Sequence, residues 1–243
     1  MNTTAIKYLP RIGVLGGMGP LASATFIVQL VEATPAVFDK DHFPHTLDSS
    51  PQIPDRPSAI AGRGPDPLAE IIQALRRLES AGSALIVMPC NTVHHWYDGI
   101  VASTRLPVLH IADAVADCLR TANPTAKRVG ILGSTVTSKL LIYEKRLGTE
   151  WDWVFATDDE LAEDVMPGIA AVKAGDLKQG RTHFLNATAK MVQRKIDVLV
   201  FACTEIPIVL KQADVAVPVI DSSEALARHT IAIAQSMRER IEN

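Results

Sequence analysis

Ala84-Leu85-Ile86-Val87-Met88-Pro89-Cys90 and Asp197-Val198-Leu199-Val200-Phe201-Ala202-Cys203 decide the fold. Each is a short, continuous apolar run that ends on a cysteine, the pattern of a strand buried on both faces. Two further matches surround them. Arg11-Ile12-Gly13-Val14-Leu15-Gly16 parallels Arg128-Val129-Gly130-Ile131-Leu132-Gly133, and Leu106-Pro107-Val108-Leu109 parallels Val217-Pro218-Val219-Ile220. Three matches in one order and at nearly one spacing indicate two copies of a single α/β unit. Each copy puts a cysteine just past a buried strand, where ligands bind in open parallel sheets. Two such units facing each other bring two thiols to one cleft.

Outward from these runs, apolar spacing predicts helices over 21–33, 66–81 (with Gly82 as the stop), 112–121, 138–147, 176–194 and 223–238. Further strands are predicted at 11–15, 108–111, 129–132 and 217–220. Apolar strands alternating with helices mean an α/β fold with parallel sheet covered on both faces.

The chain has 243 residues, enough for one large domain or two smaller ones. Its 21% charged and 47% hydrophobic residues are those of a globular protein, not a disordered one. With 24 basic and 27 acidic side chains it lacks the basic excess of a nucleic-acid binder. No apolar run reaches the roughly 18 residues that a membrane span needs. The opening MNTTAIKYLPRIGVLGG has neither the apolar core nor the small-residue cleavage site of a signal peptide. The three cysteines, Cys90, Cys118 and Cys203, include no C-x-x-C pair. This points to a reducing, cytoplasmic compartment and away from disulfides, structural zinc or a thioredoxin-type motif.

Four segments carry chemistry. Gly16-Gly17-Met18-Gly19-Pro20 lies between a strand and a helix, but its glycines do not give the dinucleotide spacing. It is either a tight turn without a ligand or a turn whose N–H groups face a small anion. Cys90-Asn91-Thr92 and Cys203-Thr204-Glu205 each open a helix, a position that favours the thiolate, with short polar groups beside it. Cys118 instead sits on an apolar helical stripe and reads as a small buried hydrophobe. In Ser49–Arg56 the prolines Pro51 and Pro54 hold the chain extended, so Gln52 and Arg56 project from a loop. An arginine there either grips a carboxylate through two parallel hydrogen bonds or is simply solvated. His42, His45, His94 and His95 have poor spacing for a metal; His94, one turn past Cys90, is placed to tune the thiol.

Taken together these motifs resemble the aspartate/glutamate racemase family of cofactor-independent amino-acid racemases. The resemblance runs from Arg11 to about Ile233. It rests on Gly16–Pro20, Pro51–Arg56, Pro89–Thr92 and Cys203–Glu205, with Pro218, Val219 and Asp221 also fitting. Two places depart from the family pattern: Ala202 stands where glycine is usual, and Val93-His94-His95-Trp96 is bulkier than usual. Both would reshape the pocket without touching the cysteines.

The resemblance implies two Rossmann-like parallel-sheet domains related by a pseudo-twofold, with the active site in the cleft between them. The last strand and helix would return to the first domain, giving 1–106 plus 217–243 and 107–216. It implies a cytoplasmic homodimer that needs no pyridoxal phosphate, metal or nucleotide. Cys90 and Cys203 become the paired acid and base, Cys90 acting on the D form and Cys203 on the L form. Met18, Gln52, Arg56, Asn91, Thr92, Lys173 and Thr204 become substrate contacts. The substrate would be aspartate or glutamate. Rival expectations are another reaction of the superfamily, such as maleate cis–trans isomerisation, or an acidic-ligand binding protein without catalysis.

Overall fold

The computed structural model describes residues 9–242. Residues 1–8, part of the segment read for a signal peptide, lie outside them. The strands are β1 (Ile12–Gly16), β2 (His45–Ser49), β3 (Leu85–Val87), β4 (Arg128–Gly133), β5 (Asp152–Phe155), β6 (Val198–Ala202) and β7 (Val219–Asp221). They form two parallel sheets, ordered β2-β1-β3 and β5-β4-β6-β7. The first unit carries helices α1 (Pro20–Glu32), α2 (Arg56–Ile60), α3 (Leu68–Ser80), α4 (Tyr97–Ala102) and α5 (Ile111–Ala122). The second carries α6 (Thr135–Lys139), α7 (Ile142–Leu147), α8 (Asp158–Glu160), α9 (Met166–Lys173), α10 (Leu177–Val192), α11 (Ile206–Val209) and α12 (Ser222–Glu242).

The two sheets repeat one another to the level of single hydrogen bonds. Ile86 N–H donates to Pro107 O at 2.8 Å, and Leu199 N–H donates to Pro218 O at 2.9 Å. These are the positions that the sequence repeat matches. Side chains alternate across each sheet, as the two-residue period of a strand requires. Ile12 and Val14 of β1, Leu85 and Val87 of β3, Val129 and Ile131 of β4, and Val198 and Val200 of β6 share one central apolar cluster. Leu15, Ile86 and Met88 pack outward under α3, and Leu132, Leu199 and Phe201 pack outward under α9 and α10. The central cluster therefore joins the units, and α5 and α12 pack side by side within it.

Several sequence expectations change. The edge strands β2 and β5 were not anticipated, because His45–Ser49 is half-exposed and largely polar, and Asp152–Phe155 offers only a three-residue apolar run. The expected strand 108–111 is reduced to a single bridge between Ile86 and Val108, and α5 begins at Ile111, capped by His110. The expected helix 138–147 is two helices, broken where Leu141 adopts a φ of 53°. The last strand does not return to the first sheet: β7 pairs with β6, whose apolar edge it covers with Ile220. Helix α12 does reach back, packing on α1 as well as on α5.

Candidate active site

Both cysteines follow the C-terminal end of a fully buried strand, Cys90 after β3 and Cys203 directly after β6. They line one cavity of about 230 Å³ at the meeting of the two units. Of the nine residues singled out from sequence, eight reach this cavity: Met18, Arg56, Cys90, Asn91, Thr92, Lys173, Cys203 and Thr204. Gln52 does not; it is exposed on the turn before α2. Cys118 is half-buried away from the site, on α5 beside the central cluster.

The expected helix starts beside the thiols are short. A 3-10 turn over Thr92–Trp96 follows Cys90, and the four-residue α11 follows Cys203. Each thiol instead has a nearby polar side chain. Cys90 Sγ lies 3.8 Å from the Thr92 hydroxyl, and the Cys203 thiol donates to Glu205 Oε2 at 2.9 Å. Burial pushes the Cys203 thiol well above its ordinary pKa, and the adjacent Glu205 carboxylate pushes it further in the same direction. Cys203 is thus a thiol in this arrangement. Glu205 is itself buried, and its Oε1 lies 3.9 Å from Lys173 Nζ.

His94 does not touch the Cys90 sulfur. Its Nδ1 is 2.9 Å from the Cys90 carbonyl, so that nitrogen carries the hydrogen, while Nε2 accepts from Ile111 N–H at 3.2 Å. Burial lowers its pKa to about 4, which keeps the ring neutral. It ties the Cys90 turn to the start of α5. Asn91 is held at both ends of its amide: Oδ1 accepts from Tyr143, and Nδ2 donates to Ser222 Oγ at 3.0 Å. One Nδ2 hydrogen remains for a ligand.

Arg56 is only 7% exposed, and its Nη1 donates to the carbonyls of Ile53 and Pro54, each at 3.0 Å. It begins α2 instead of ending a loop. Pro57 is tolerated in that first turn, and Asp55 caps it by accepting from Ser58 N–H at 2.9 Å. The glycine turn supports this segment directly. Gly17 has φ +88°, and a Cβ there would lie 2.4 Å from Ser50 N. Only glycine lets the 50–56 chain approach so closely. The Gly17 N–H is already engaged by Ser23 Oγ at 2.9 Å, so it is not a free donor for an anion.

The cavity also holds residues to which the sequence assigned no individual role: Asp55, Ser134, Thr137, Met166, Ile169, Ala170 and Glu205 among them. Ser134 had a signal. It follows Gly133, the repeat partner of Gly16, and so occupies the place of Gly17 in the second unit. Ser134 Oγ caps α6 by accepting from Thr137 N–H at 3.3 Å. Among the described residues, no cluster of three or more His, Cys, Asp or Glu is placed to hold a metal ion. Among them, too, no helix is long and apolar enough to cross a membrane.

The chain matches the Asp/Glu/Hydantoin racemase family over residues 15–230. It is 29% identical over 227 residues to the broad specificity amino-acid racemase RacX of Bacillus subtilis (strain 168), covering 90% of this chain and 96% of that one. The fold superposes on the aspartate racemase of Picrophilus torridus with a TM-score of 0.83, at 33% identity, covering 93% of this chain and 94% of that one. An aspartate racemase homologue from Pyrococcus horikoshii OT3 superposes with a TM-score of 0.73, at 26% identity, covering 93% of this chain and all of that one. With two matched α/β units and a cysteine at the same place in each, the chain belongs to the Asp/Glu/Hydantoin racemase family.

Proposed function

We propose that this chain is a cofactor-independent racemase of an acidic amino acid, aspartate or glutamate, working through two thiols. The observation that carries the reading is the arrival of Cys90 and Cys203 in one cavity from two different sheets. Racemisation removes the α-proton from one face and returns a proton to the other. A single base reaches one face, so the reaction needs an acid and a base on opposite sides of the α-carbon.

In the L-to-D direction Cys203, as thiolate, takes the α-proton while the Cys90 thiol donates to the opposite face. The reverse direction exchanges their roles. Without a cofactor to delocalise the carbanion, its negative charge gathers on the substrate carboxylate. Fixed donors aimed at such charge are worth about 3–4 kcal/mol each in enzyme sites. Thr92, Thr204 and the remaining Asn91 hydrogen line the cavity as such donors. Arg56 and Lys173 supply two cations for a substrate with two carboxylates, which supports an acidic side chain.

The same reading makes the protein a cytoplasmic homodimer. Leu21, Val28 and Val31, exposed along α1, offer apolar surface for a subunit contact, and sedimentation measures it directly.

The test is incubation with a panel of L-amino acids, without added cofactor, followed by chiral chromatography. Appearance of D-aspartate or D-glutamate is the expected result. Binding of an acidic amino acid without exchange of its α-proton in deuterium oxide would leave a binding protein in place of a racemase.

A further inference from the structure

We infer that Glu205 carries the Cys203 proton out of the catalytic cavity between turnovers, returning Cys203 to the thiolate that the L enantiomer requires. The inference rests on the two-thiol reading above. After one L-to-D turnover Cys203 is a thiol and Cys90 a thiolate. Before the next L molecule reacts, one proton must leave Cys203 and one must reach Cys90. Cys203 Sγ lies 2.9 Å from Glu205 Oε2, within reach for the thiol to pass its hydrogen to the carboxylate.

Glu205 is only 5% exposed, yet it stands in a partition between two cavities. With Asp55, Arg56 and Lys173 it lines both the catalytic cavity and a second one of about 470 Å³, walled by Pro51, Ile53, Val172 and Ile208. One carboxylate oxygen meets the thiol. The other lies 3.9 Å from Lys173 Nζ, on a side chain that is 45% exposed. The carboxylate thereby connects a half-buried thiol to a group that reaches solvent.

The Cys203 S–H bond breaks, its electron pair stays on sulfur, and the proton forms an O–H bond with Glu205. The Glu205 acid then gives that proton to water on the Lys173 side and becomes a carboxylate again. A water-borne proton neutralises the Cys90 thiolate, so total charge is unchanged. The charged and titratable groups that face the Cys203–Glu205 pair are Lys173 on α9, Asp55 and Arg56 at α2, Cys90 across the cavity and Tyr143 on α7.

Glu205→Gln, in the full chain, tests this. A slow return of Cys203 to thiolate limits turnover only at saturation. The variant should therefore lose tenfold or more in kcat at neutral pH, with KM falling alongside it, and added imidazole should restore kcat in proportion to its concentration. Glu205→Asp should keep more kcat than Glu205→Gln. In a Cys90→Ser/Cys118→Ser background, iodoacetamide alkylation of Cys203 against pH reads the contact without any turnover. Glu205→Gln should move its midpoint down by one pH unit or more, because a negative charge beside the thiol is gone. A wild-type kcat in Glu205→Gln, a loss confined to kcat/KM and insensitive to imidazole, or an unmoved alkylation midpoint would overturn the relay. A wild-type chain that racemises no amino acid removes the function on which the relay rests, a failure that a shifted alkylation midpoint tells apart from failure of the Glu205–Cys203 contact.

Discussion

Tyr143 donates its hydroxyl hydrogen to Asn91 Oδ1 at 2.5 Å, so a helix of the second unit holds the residue that follows Cys90 in the first. The bond continues through Asn91 Nδ2 to Ser222 Oγ and from that hydroxyl to the carbonyl of Phe201, on the strand that leads to Cys203. All four residues are buried. The two cysteine turns are thus joined by a closed polar chain, and burying such a chain is favourable only while every member is satisfied.

Tyr143→Phe breaks that chain with almost no change of volume. It leaves Asn91 Oδ1 buried without its donor, which costs roughly 1–3 kcal/mol. Urea unfolding should show that loss, and kcat/KM should fall because Asn91 is no longer fixed beside Cys90. Unchanged stability and kinetics would mean that the chain does not position the site.

Arg56→Lys keeps the charge and removes the planar fork. Lysine cannot hold the Ile53 and Pro54 carbonyls and a substrate carboxylate in one fixed geometry. We expect a loss in kcat/KM equivalent to about 2–4 kcal/mol of transition-state stabilisation. Circular dichroism checks that the fold survives. An unaltered kcat/KM would return Arg56 to a purely structural role in bracing the turn before α2.

Asp221 gives a pH-dependent outcome. Burial raises its carboxyl pKa to about 6, although Gln29 Nε2 at 2.7 Å and Ser223 N–H at 2.8 Å both donate to it. The folded state then binds more protons than the unfolded state between about pH 4 and pH 6, so this group's contribution to stability falls as pH rises through that window. Asp221→Asn removes the half-buried charge, and a flip of the Gln29 amide can preserve the hydrogen bonding. The variant should be more stable than wild type at pH 7.5 by up to about 3 kcal/mol. Its advantage should vanish near pH 4. Chemical denaturation at the two pH values reads the difference, and an advantage independent of pH would contradict the assignment.

Four strands were legible in the sequence because they are buried on both faces. The runs at β1, β3, β4 and β6 are almost wholly apolar, and the repeat paired them correctly. The edge strands β2 and β5 were not; a half-exposed strand such as His-Thr-Leu-Asp-Ser at 45–49 has no apolar run to detect. The break at Leu141 was equally silent, since a non-glycine residue at positive φ leaves no local signature. Arg56 was found by its motif, while its helical setting was hidden by the flanking Pro54 and Pro57. Gln52 shares that motif, yet the turn carries it outward. Glu205 was visible beside Cys203 in sequence, but only folding turns its carboxylate back onto the thiol.

The division of labour between Cys90 and Cys203 is the central claim, and α-proton exchange in deuterium oxide by single cysteine variants tests it most directly. Each thiol serves one face of the α-carbon, so Cys90→Ser and Cys203→Ser should both stop net racemisation. The remaining thiol should still exchange the proton of its own enantiomer with retention. Cys203→Ser should exchange the D form faster than the L form, Cys90→Ser should show the opposite preference, and Cys118→Ser should match wild type. Near wild-type racemisation by either active-site variant, or loss of activity in Cys118→Ser alone, would contradict the paired-thiol account.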